Sequence, residues 1–586
     1  MTVRWSLADA RRHLDCVRPW LLAFSTYTLL TIALTWPMLP RAASAVVRDT
    51  GDTLQQTYSL AWIWRAFTTD PFHLYDATIF YPQRFSLAFS ESLLVPSLLA
   101  APVQALTGNP ILAYNVATLL AFPLTALAAC ALARALTGSW PAGLLAGLIY
   151  GFYPYRFDQL TQVQNVSSYW PPLTLWALLR FNTAPTWRWA LVFWGTLVAG
   201  ALTSLYSAAF TAVAAGLFQL WELLASRRLG GAAYLRLTIA GLGGLVVLAP
   251  FAYPYVVLSR SAAFHWSIEP MIGFSADLKD WLSAPPENWL YGRVTAPVRA
   301  GSLFTQHNLF PGLGALVLAG VGLVAGRPRA LVWRFGLLAA VSAVMVHGPV
   351  LIAFGELTGI PLPYLLLHRL PVFSSIRVPS RFVVIAMLSL AVLAAFGLSA
   401  VLRWRAERVQ RRTPLEQGLV PGRTVTSTWI ALAAGAVIAA EYVSAPVRTI
   451  PVPVGTAVPA VYQWLARQPD QFAIVELPMW PTKGDAELGT TWYIYYATYH
   501  WKGLVNGRTT FYPPGYEQLV ESAARFPADP AIVALRGTGA RYLILHGDLY
   551  PPPERERLMA LTPLREVARF GSDIVYDLDL TGRRQP

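Results

Sequence analysis

The sequence predicts a polytopic α-helical membrane protein with about eleven transmembrane helices, followed by a small extracytoplasmic α/β domain at the C-terminus. Of its 586 residues, 55% are hydrophobic and only 13% are charged, whereas soluble proteins have a charged share of about 25%. Apolar runs long enough to cross a hydrocarbon core of ~30 Å recur through the first three quarters of the chain. Short arginine clusters separate these runs, which is typical of membrane topology signals.

The arginine clusters also predict the orientation of the spans. With the N-terminus in the cytoplasm and eleven spans, every cluster between spans falls on the cytoplasmic side. The odd number of spans then places the C-terminal domain outside, and the expected location is the bacterial inner (plasma) membrane. The predicted spans lie near residues 19–37, 110–134, 139–153, 168–181, 188–205, 207–225, 236–258, 309–326, 331–348, 380–402 and 425–443.

The first span has one alternative interpretation, a cleaved signal peptide. Arg11, Arg12 and Arg18 precede the apolar run, and Ala43-Ser44-Ala45 resembles a small-residue cleavage site. The run from Pro19 to Pro37 is longer than a usual signal-peptide core. This length favours a retained span.

Composition also limits the partners and cofactors. The formal net charge of +14 does not indicate nucleic acid, because the arginines lie between apolar runs rather than along one soluble face. The expected partner is the lipid bilayer. The two cysteines, Cys16 and Cys130, predict no disulfide framework. No motif has zinc-ligand spacing and no GxxxxGK[ST] motif occurs, so no cofactor is assigned and a divalent cation is left open.

The predicted domains are residues 1–445, the transmembrane domain, and residues 446–586, the C-terminal domain. An apolar stretch at 92–106 is predicted to be a helix on the membrane surface, because a span there would invert all later spans. Long loops are usually functional, and here they face one compartment. The three long outer loops are 38–109, 259–308 and 349–379.

Prolines after Ala445 predict a linker, and alternating polar helix and strand patterns follow it. Together these patterns predict a small α/β domain of about 130 residues. The predicted elements are an amphipathic helix at Val461–Arg467, a strand at Phe472–Leu477, a helix at Tyr516–Ala524 and a strand at Tyr542–His546.

The first outer loop carries the acidic residues Asp49 and Asp52 just beyond the first span. A carboxylate there is available to a lipid headgroup and can take a proton from an acceptor hydroxyl. The alternative is structural: Thr50-Gly51-Asp52 resembles a helix cap, and either aspartate could cap a helix that starts near Thr53. The residues alone leave both interpretations open.

Aromatic and amide residues cluster at the outer end of the third predicted span. Tyr155, Arg156, Asp158 and Gln162 suit sugar rings and hydroxyls, and they are candidates for substrate binding. The same residue types also form ordinary interfacial belts, which is the more common role.

Arginines near the outer membrane face are scarce under the positive-inside rule, so Arg377 and Arg381 suggest a phosphate partner. The alternatives are snorkelling to headgroups or pairing with an acidic residue such as Glu356. Further candidates for substrate binding are Arg84, in the first outer loop, and His500 and Lys502, in the C-terminal domain.

Several motifs together resemble the GT-C superfamily of glycosyltransferases that use polyprenyl-phosphate sugars, over about residues 17–550. The similarity is greatest to bacterial membrane proteins of the YfhO-like or dolichyl-phosphate-mannose-mannosyltransferase-like group. The matching segments are Gly51-Asp52, the helix at 92–106, Gly108-Asn109-Pro110, Tyr114-Asn115, Arg134–Gly138, Phe152–Arg156, Arg377–Phe382 and Tyr499–Gly507.

The resemblance implies a hexosyl or pentosyl transferase of cell-envelope glycan biosynthesis. Its donor would be a polyprenyl-phosphate-linked sugar and its acceptor a glycan, lipid or protein. The family's catalytic acidic residue matches Asp52, with Asp49 as the nearby alternative, and it would act as base in an inverting displacement. The sequence departs from the pattern at Gln306-His307-Asn308, where related chains often have an acidic residue.

Two other functions fit the same sequence. A transporter or flippase for a lipid-linked glycan would also have many spans and an outer domain, but it should carry ionisable residues near mid-bilayer. Glu222 is the one such residue, and it lies toward a cytoplasmic end. A membrane-anchored binding or assembly protein would use residues 446–586 and leave the acidic loop inert.

Overall fold

The computed structural model describes residues 7–260, 266–300, 307–412 and 421–578, and most of them are helical. The α-helices are α1 (Leu7–Leu34), α2 (Gly51–Thr69), α3 (Leu94–Thr107), α4 (Pro110–Thr137), α5 (Trp140–Phe152), α6 (Tyr155–Asp158), α7 (Val163–Val166), α8 (Trp170–Thr183), α9 (Trp187–Ala201), α10 (Leu205–Trp221), α11 (Gly231–Leu258), α12 (Ile268–Gly273), α13 (Ala296–Arg299), α14 (Leu313–Ala325), α15 (Arg329–Met345), α16 (Tyr364–His368), α17 (Pro371–Ser374), α18 (Val383–Arg412), α19 (Pro421–Glu441), α20 (Ala460–Arg467), α21 (Gly489–His500), α22 (Tyr516–Ala523), α23 (Asp529–Gly537) and α24 (Pro552–Leu561).

Every one of the eleven predicted spans coincides with a helix, and the surface segment at 92–106 coincides with α3. Five segments are both long and apolar enough to cross a membrane by length and composition, among the residues that the structure describes. They are Cys16–Leu34, Pro110–Thr137, Leu205–Ser226, Gly231–Leu258 and Pro379–Arg408. The chain is therefore a polytopic helical membrane protein. Its orientation in the membrane stays a prediction.

The chain divides into two compact units that do not follow the sequence order. The predicted division at residue 446 stays a prediction, and the contacts add that the first predicted outer loop clusters with the C-terminal residues. Unit 1 comprises Met1–Leu39, Thr118–Ala249 and His265–Val447, and unit 2 comprises Pro40–Ala117, Pro250–Phe264 and Arg448–Pro586.

Helix α18 forms the centre of unit 1 and is almost entirely buried in its apolar part. It packs against α5, α14 and α15. Its contact with α14 is a backbone-to-backbone approach, since a Cβ at Gly322 would lie 2.0 Å from the Leu393 carbonyl oxygen. A Cβ at Gly397 would lie 1.9 Å from the Leu318 carbonyl oxygen. Small residues therefore set the distance between these two helices, as is common between membrane helices.

Two buried glutamates of unit 1 have partners from other helices. Glu441, at the end of α19, accepts hydrogen bonds from the Gly314 amide at the start of α14 and from the Tyr291 hydroxyl. Glu222 follows α10 and pairs with Arg334 of α15 at 3.0 Å, both side chains being less than a tenth exposed. The charge of Glu222 is thus neutralised within the protein, which does not favour its use in a transport pathway.

Unit 2 joins the first predicted outer loop to the C-terminal domain. Strand β1 (Ala45–Val47) pairs antiparallel with β4 (Thr449–Pro451), and α2 packs against α21. The C-terminal residues form a five-stranded mixed sheet of order β6-β5-β7-β9-β8. The remaining strands are β2 (Val350–Ala353) and β3 (Glu356–Pro361) in unit 1, and β5 (Ala473–Leu477), β6 (Gly503–Leu504), β7 (Tyr542–His546), β8 (Arg565–Phe570) and β9 (Asp573–Asp577) in unit 2.

The four elements predicted for the C-terminal domain are confirmed as α20, β5, α22 and β7. The two strands lie side by side and parallel, with all their residues buried. Continuous apolar runs are typical of such strands, because both faces of the sheet are covered.

The close approach of α14 and α18 predicts a sharp difference between two glycines of α14. Gly322→Val should destabilise unit 1 strongly, because the added side chain would collide with the α18 backbone. Gly320→Val, on the exposed side of the same helix, should leave stability nearly unchanged, since no atom lies within 4 Å of its Cβ position. Thermal unfolding in detergent, followed by fluorescence-detected size exclusion, measures both. Equal melting temperatures for the two variants would contradict this packing.

Candidate functional site

The predicted catalytic loop folds into the start of α2, where Asp52 lies in the first turn. Its carboxylate oxygen Oδ1 lies 3.1 Å from Arg508 Nη1, and Arg508 Nη2 lies 2.9 Å from Glu487 Oε1. Gln55, one turn further along α2, lies 3.4 Å from the same arginine through its side-chain oxygen. We name Asp49, Asp52, Gln55, Glu487 and Arg508 together the acidic cluster. The guanidinium therefore connects two carboxylates that are far apart in sequence.

Asp49 is the helix cap that the sequence offered as an alternative. Its Oδ1 accepts a hydrogen bond of 2.8 Å from the Gly51 amide at the beginning of α2. Burial and the neighbouring Asp52 raise the pKa of Asp49, and the hydrogen bond from Gly51 and the charge of Arg508 oppose this shift. Asp49 thus uses one carboxylate oxygen to hold the loop. The side chain of Asp52 remains 31% exposed, so of the two, Asp52 presents a carboxylate that is not a cap.

Gly51 permits a close approach between the loop and the segment that carries Glu487. A Cβ at Gly51 would lie 2.6 Å from Leu488 Cδ2, nearer than side chains can come. The Thr491 hydroxyl also donates to the Thr50 carbonyl, at 2.9 Å. Close packing against Leu488 therefore explains the glycine of the Gly51-Asp52 pair. The aspartate of the pair has a charged partner, Arg508.

Sequence reasoning identified Asp52 and Asp49, but it missed Glu487 and Gln55. Gln55 had a signal, because residues three apart on a helix share a face. Glu487 had none, since its partner Arg508 follows 21 residues later in a different element.

Arg84 lies on the rim of an open cleft in unit 2, with a volume of about 420 Å³. Its guanidinium is more than half exposed and lies 3.4 Å from Asp76. The cleft lies between the loop 80–84 on one side and residues 513–516 on the other. Tyr81 lines it with a ring that is 41% exposed, and the ring packs close to Gly503. Proline, tyrosine and arginine in one cleft of this size suit a small ligand.

The second predicted cluster lies at the end of α5 in unit 1. Tyr155 and Arg156 are buried, and so are their neighbours Tyr153 and Phe157. The interpretation of these residues as an interfacial belt is therefore wrong, because belt residues face the lipid and these face the interior of the protein.

Arg156 is 1% exposed, and its surroundings do not provide a hydrogen-bond acceptor for every nitrogen of its guanidinium. Nη2 donates to the Val166 carbonyl at 2.6 Å, and the guanidinium lies 4.7 Å from the Phe122 ring centre. Nε and Nη1 have no hydrogen-bond partner among the residues that the structure describes. Arg156 and Arg381 line the same narrow cavity, of about 30 Å³, together with Tyr155.

Arg381 contacts two amide side chains, those of Gln162 and Asn165. Its Nη2 donates to Gln162 Oε1, and its guanidinium lies 5.1 Å from the Tyr206 ring centre. With the Asn165 amide oriented so that its oxygen faces Arg381, that oxygen also accepts from Arg381 Nε at 3.2 Å. The structure thus brings Gln162 and Arg381 together from distant parts of the sequence.

The position where the sequence departs from the family pattern supplies an amide. Asn308 Nδ2 donates to Asp158 Oδ2 at 2.7 Å, and Ser283 Oγ donates to Asn308 Oδ1 at 2.8 Å. Gln306 lies outside the described residues. Unit 1 therefore has a carboxylate, Asp158, in contact with this segment.

Arg377 has a different environment from Arg381. Its guanidinium lies 5.0 Å from the Trp266 ring centre and 4.6 Å from the Phe274 ring centre. Its backbone amide donates to the Tyr206 hydroxyl at 3.1 Å. Two aromatic rings around one guanidinium stabilise a cation in a partly desolvated place.

His500 and Lys502 lie inside the C-terminal domain. Lys502 Nζ donates to the carbonyls of Gln468 and Asp470 at 2.7 and 2.6 Å. Burial and the nearby Lys502 lower the pKa of His500 to about 3, and its ring stacks on Tyr462. Backbone carbonyls of the same chain thus bind the Lys502 ammonium. The geometry adds nothing to the substrate role predicted for His500 and Lys502.

Comparisons with known proteins identify the architecture. No protein-family model matches the chain, and no curated protein matches it. The cryo-EM structure of the arabinofuranosyltransferase AftD from Mycobacteria matches 96% of this chain with a TM-score of 0.56 and 16% identity. The chain spans 41% of AftD. The chain has the GT-C glycosyltransferase fold.

Two other solved structures were found at lower similarity. The oligosaccharyltransferase AglB from Archaeoglobus fulgidus, in complex with an inhibitory peptide and a dolichol-phosphate, matches 90% of this chain and 69% of AglB at 11% identity and a TM-score of 0.47. ArnT from Cupriavidus metallidurans, bound to undecaprenyl phosphate, matches 96% of this chain and 98% of ArnT at 12% identity and a TM-score of 0.44. Assignment to the YfhO-like group within the GT-C fold stays a prediction.

The chain shows no preformed metal site in its described part. Among the residues with described placement, no group of three or more histidine, cysteine, aspartate or glutamate side chains is arranged to hold a metal ion. The acidic cluster contains a guanidinium between its carboxylates instead. A divalent cation as cofactor stays open.

The core of the C-terminal domain predicts a pH dependence of stability. His546 is buried between Glu476 and Asp573, at 2.8 and 3.0 Å. Burial alone would lower its pKa, but these hydrogen bonds raise the pKa of His546 to about 9. A raised folded-state pKa stabilises the fold fully below the unfolded value of about 6.5, and this contribution, about 3 kcal/mol, is lost as pH rises through about 9.

The melting temperature should therefore fall between pH 6.5 and 9.5, and His546→Gln should remove most of that fall. His73→Gln, at an imidazole more than half exposed, should keep the wild-type pH profile. Identical pH profiles for His546→Gln and the wild type would contradict the assignment.

Proposed function

We propose that this protein is a membrane glycosyltransferase that moves a sugar from a polyprenyl-phosphate donor to an extracytoplasmic acceptor. The observation that carries the proposal is the Asp52 carboxylate, presented at the start of α2 and positioned by Arg508. The GT-C fold supports it, because the matched AftD structure is named as an arabinofuranosyltransferase. The same fold does not distinguish a pentosyl from a hexosyl donor.

The proposed reaction is an inverting displacement with Asp52 as general base. The acceptor hydroxyl gives its proton to the Asp52 carboxylate while its oxygen attacks the anomeric carbon. The bond from that carbon to the phosphate oxygen breaks, and the polyprenyl phosphate leaves. Arg508 would hold the base in position through its contact with the Asp52 carboxylate.

A lipid phosphate needs positive charge around it, and unit 1 offers this charge at Arg156 and Arg381. A buried guanidinium with unsatisfied donors is costly unless an anion or another acceptor completes it. Arg156 has two such nitrogens beside the cavity that it shares with Arg381. We propose that these arginines bind the phosphate group of a polyprenyl carrier within unit 1. Arg377, between two aromatic rings, would position the same segment.

The acceptor is proposed to be a glycan bound in the cleft of unit 2. The half-exposed ring of Tyr81 can stack on a sugar ring, and the exposed guanidinium of Arg84 can donate to its hydroxyl or carboxylate oxygens. The cleft volume of about 420 Å³ falls in the range of small-ligand sites.

Replacement of the base should abolish most transfer without unfolding the protein. Asp52→Asn keeps the size of the side chain but cannot accept the proton, so transfer should fall by at least ~10²-fold. Asp49→Asn keeps an oxygen for the Gly51 amide and should lose much less. Glu487→Gln leaves Asp52 intact and loosens Arg508, so its loss should be intermediate.

The measurement is sugar transfer in proteoliposomes that contain a panel of synthetic polyprenyl-phosphate sugars, with donor binding measured separately. Wild-type rates for Asp52→Asn together with loss in Asp49→Asn would move the base to Asp49. Full activity in both variants would refute the catalytic role of this loop.

The acceptor cleft predicts that substitutions in it affect sugar transfer to an acceptor but not hydrolysis of the donor. Tyr81→Ala and Arg84→Ala should raise the KM for synthetic mannose or arabinose oligosaccharides several-fold. They should leave the slow hydrolysis of the donor unchanged, because water needs no acceptor site. Arg525→Ala, at another exposed arginine of unit 2 outside the cleft, is the matched control. An unchanged acceptor KM in both cleft variants would exclude this cleft.

A further inference from the structure

The loop between α15 and α18 carries a hairpin, β2–β3, with unusual exposure. All six residues of β3, Glu356–Pro361, are exposed. Strand β2 is attached to the rest of unit 1, through a bridge between Asp277 and Ile352 and contacts with Leu278–Leu282. The described residues of unit 1 leave β3 uncovered.

The exposed side chains of the hairpin are mainly apolar. Phe354 is 71% exposed, and Leu357 and Ile360 are about half exposed. Glu356 is the one ionisable residue between residues 350 and 361. Exposed apolar side chains with a single charge among them are typical of an interaction surface rather than of a water-exposed loop.

The turn of the hairpin contains Phe354, a bulky apolar residue that is unfavourable in a water-exposed turn. Ala353 pairs with Glu356, so Phe354 and Gly355 form a two-residue turn, with φ values of 53° and 90°. Turns with two positive φ values prefer Asn, Asp or Gly at the first position, and a bulky residue is disfavoured there. The Asp277 carboxylate holds this conformation, because it accepts from the Phe354 and Gly355 amides at 2.7 and 2.6 Å. The phenyl ring is thus fixed in an outward position.

We propose that the β2–β3 hairpin docks into the interfacial layer of the lipid bilayer. Val350 follows the last residue of α15, Met345, by five positions, and the loop leads directly into α18. Helix α18 belongs to a segment that is long and apolar enough to cross a membrane, and a span is predicted over α15, so the hairpin would begin at the level where these two helices leave the hydrocarbon. Unpaired strand edges cannot enter the hydrocarbon core, so the contact is with the headgroup and upper acyl region.

The segment after the hairpin extends the same surface. Leu366 and Leu370 are more than half exposed, and exposed Arg369 lies between them in sequence. Apolar side chains beside a basic one suit a lipid surface with phosphate headgroups. This membrane contact is independent of the proposed transferase activity and of its catalytic residues.

Site-directed spin labelling tests the contact in the full-length protein. In a Cys16→Ser background the remaining Cys130 is buried, so a thiol-reactive nitroxide is directed to one added cysteine. Phe354→Cys and Leu357→Cys carry the label in the hairpin, and Glu554→Cys, exposed on α24, is the water-exposed control. Power saturation in vesicles of phosphatidylcholine and phosphatidylglycerol compares collisions with oxygen and with a water-soluble nickel chelate.

Labels at both hairpin positions should show a several-fold higher ratio of oxygen to nickel collisions than the control label. Adding Phe354→Asn, which suits the turn in water, to the Leu357→Cys protein should lower that ratio. Free access of nickel to the hairpin labels would overturn the proposal. Exclusion of both oxygen and nickel would also overturn it, because it would mean that a second copy or a partner protein covers the hairpin. A wild-type elution volume in detergent shows that each variant is folded.

Discussion

The position of the candidate base depends on one guanidinium. Arg508 is 14% exposed and lies between Asp52 and Glu487, and Asp49 lies close enough to interact with both Asp52 and Arg508. Without the arginine, three carboxylates would repel one another in a partly desolvated place, at a cost that grows as the local dielectric falls. Asp52 can be both exposed and fixed because its charge is balanced from a segment 456 residues away in sequence.

The two polar regions use different physical means to present charge. In unit 2 the negative charges are paired and held by an arginine, and Asp49 is fixed as a helix cap. In unit 1 a fully buried arginine keeps donors unsatisfied beside a cavity, and amide side chains surround its neighbour Arg381. The ion pair between Glu222 and Arg334 leaves the transporter hypothesis without its expected central charge.

Local patterns predicted much of the fold and less of the candidate site. The eleven helical spans and four elements of the C-terminal domain follow from apolar runs and periodicity, which are properties of neighbouring residues. The contacts of Arg508 with Glu487 and of Asn308 with Asp158 join segments far apart, and no local pattern encodes them. The belt interpretation of Tyr155 and Arg156 failed for a related reason. The residue types at a membrane interface and in a buried polar pocket are the same, and tertiary packing decides between them.

Unit 2 is formed by segments that are far apart in the sequence, and this has a consequence for biosynthesis. Residues Pro40–Ala117 leave the ribosome more than 300 residues before their partners in Arg448–Pro586. At a translation rate of about 5–20 residues per second, about 15 s to a minute pass after synthesis of the first segment before β4 can pair with β1. During that interval the face of α2 that later contacts Trp501 has no cover. The growing chain therefore depends on the membrane or on chaperones to shield an unfinished half-domain until translation ends.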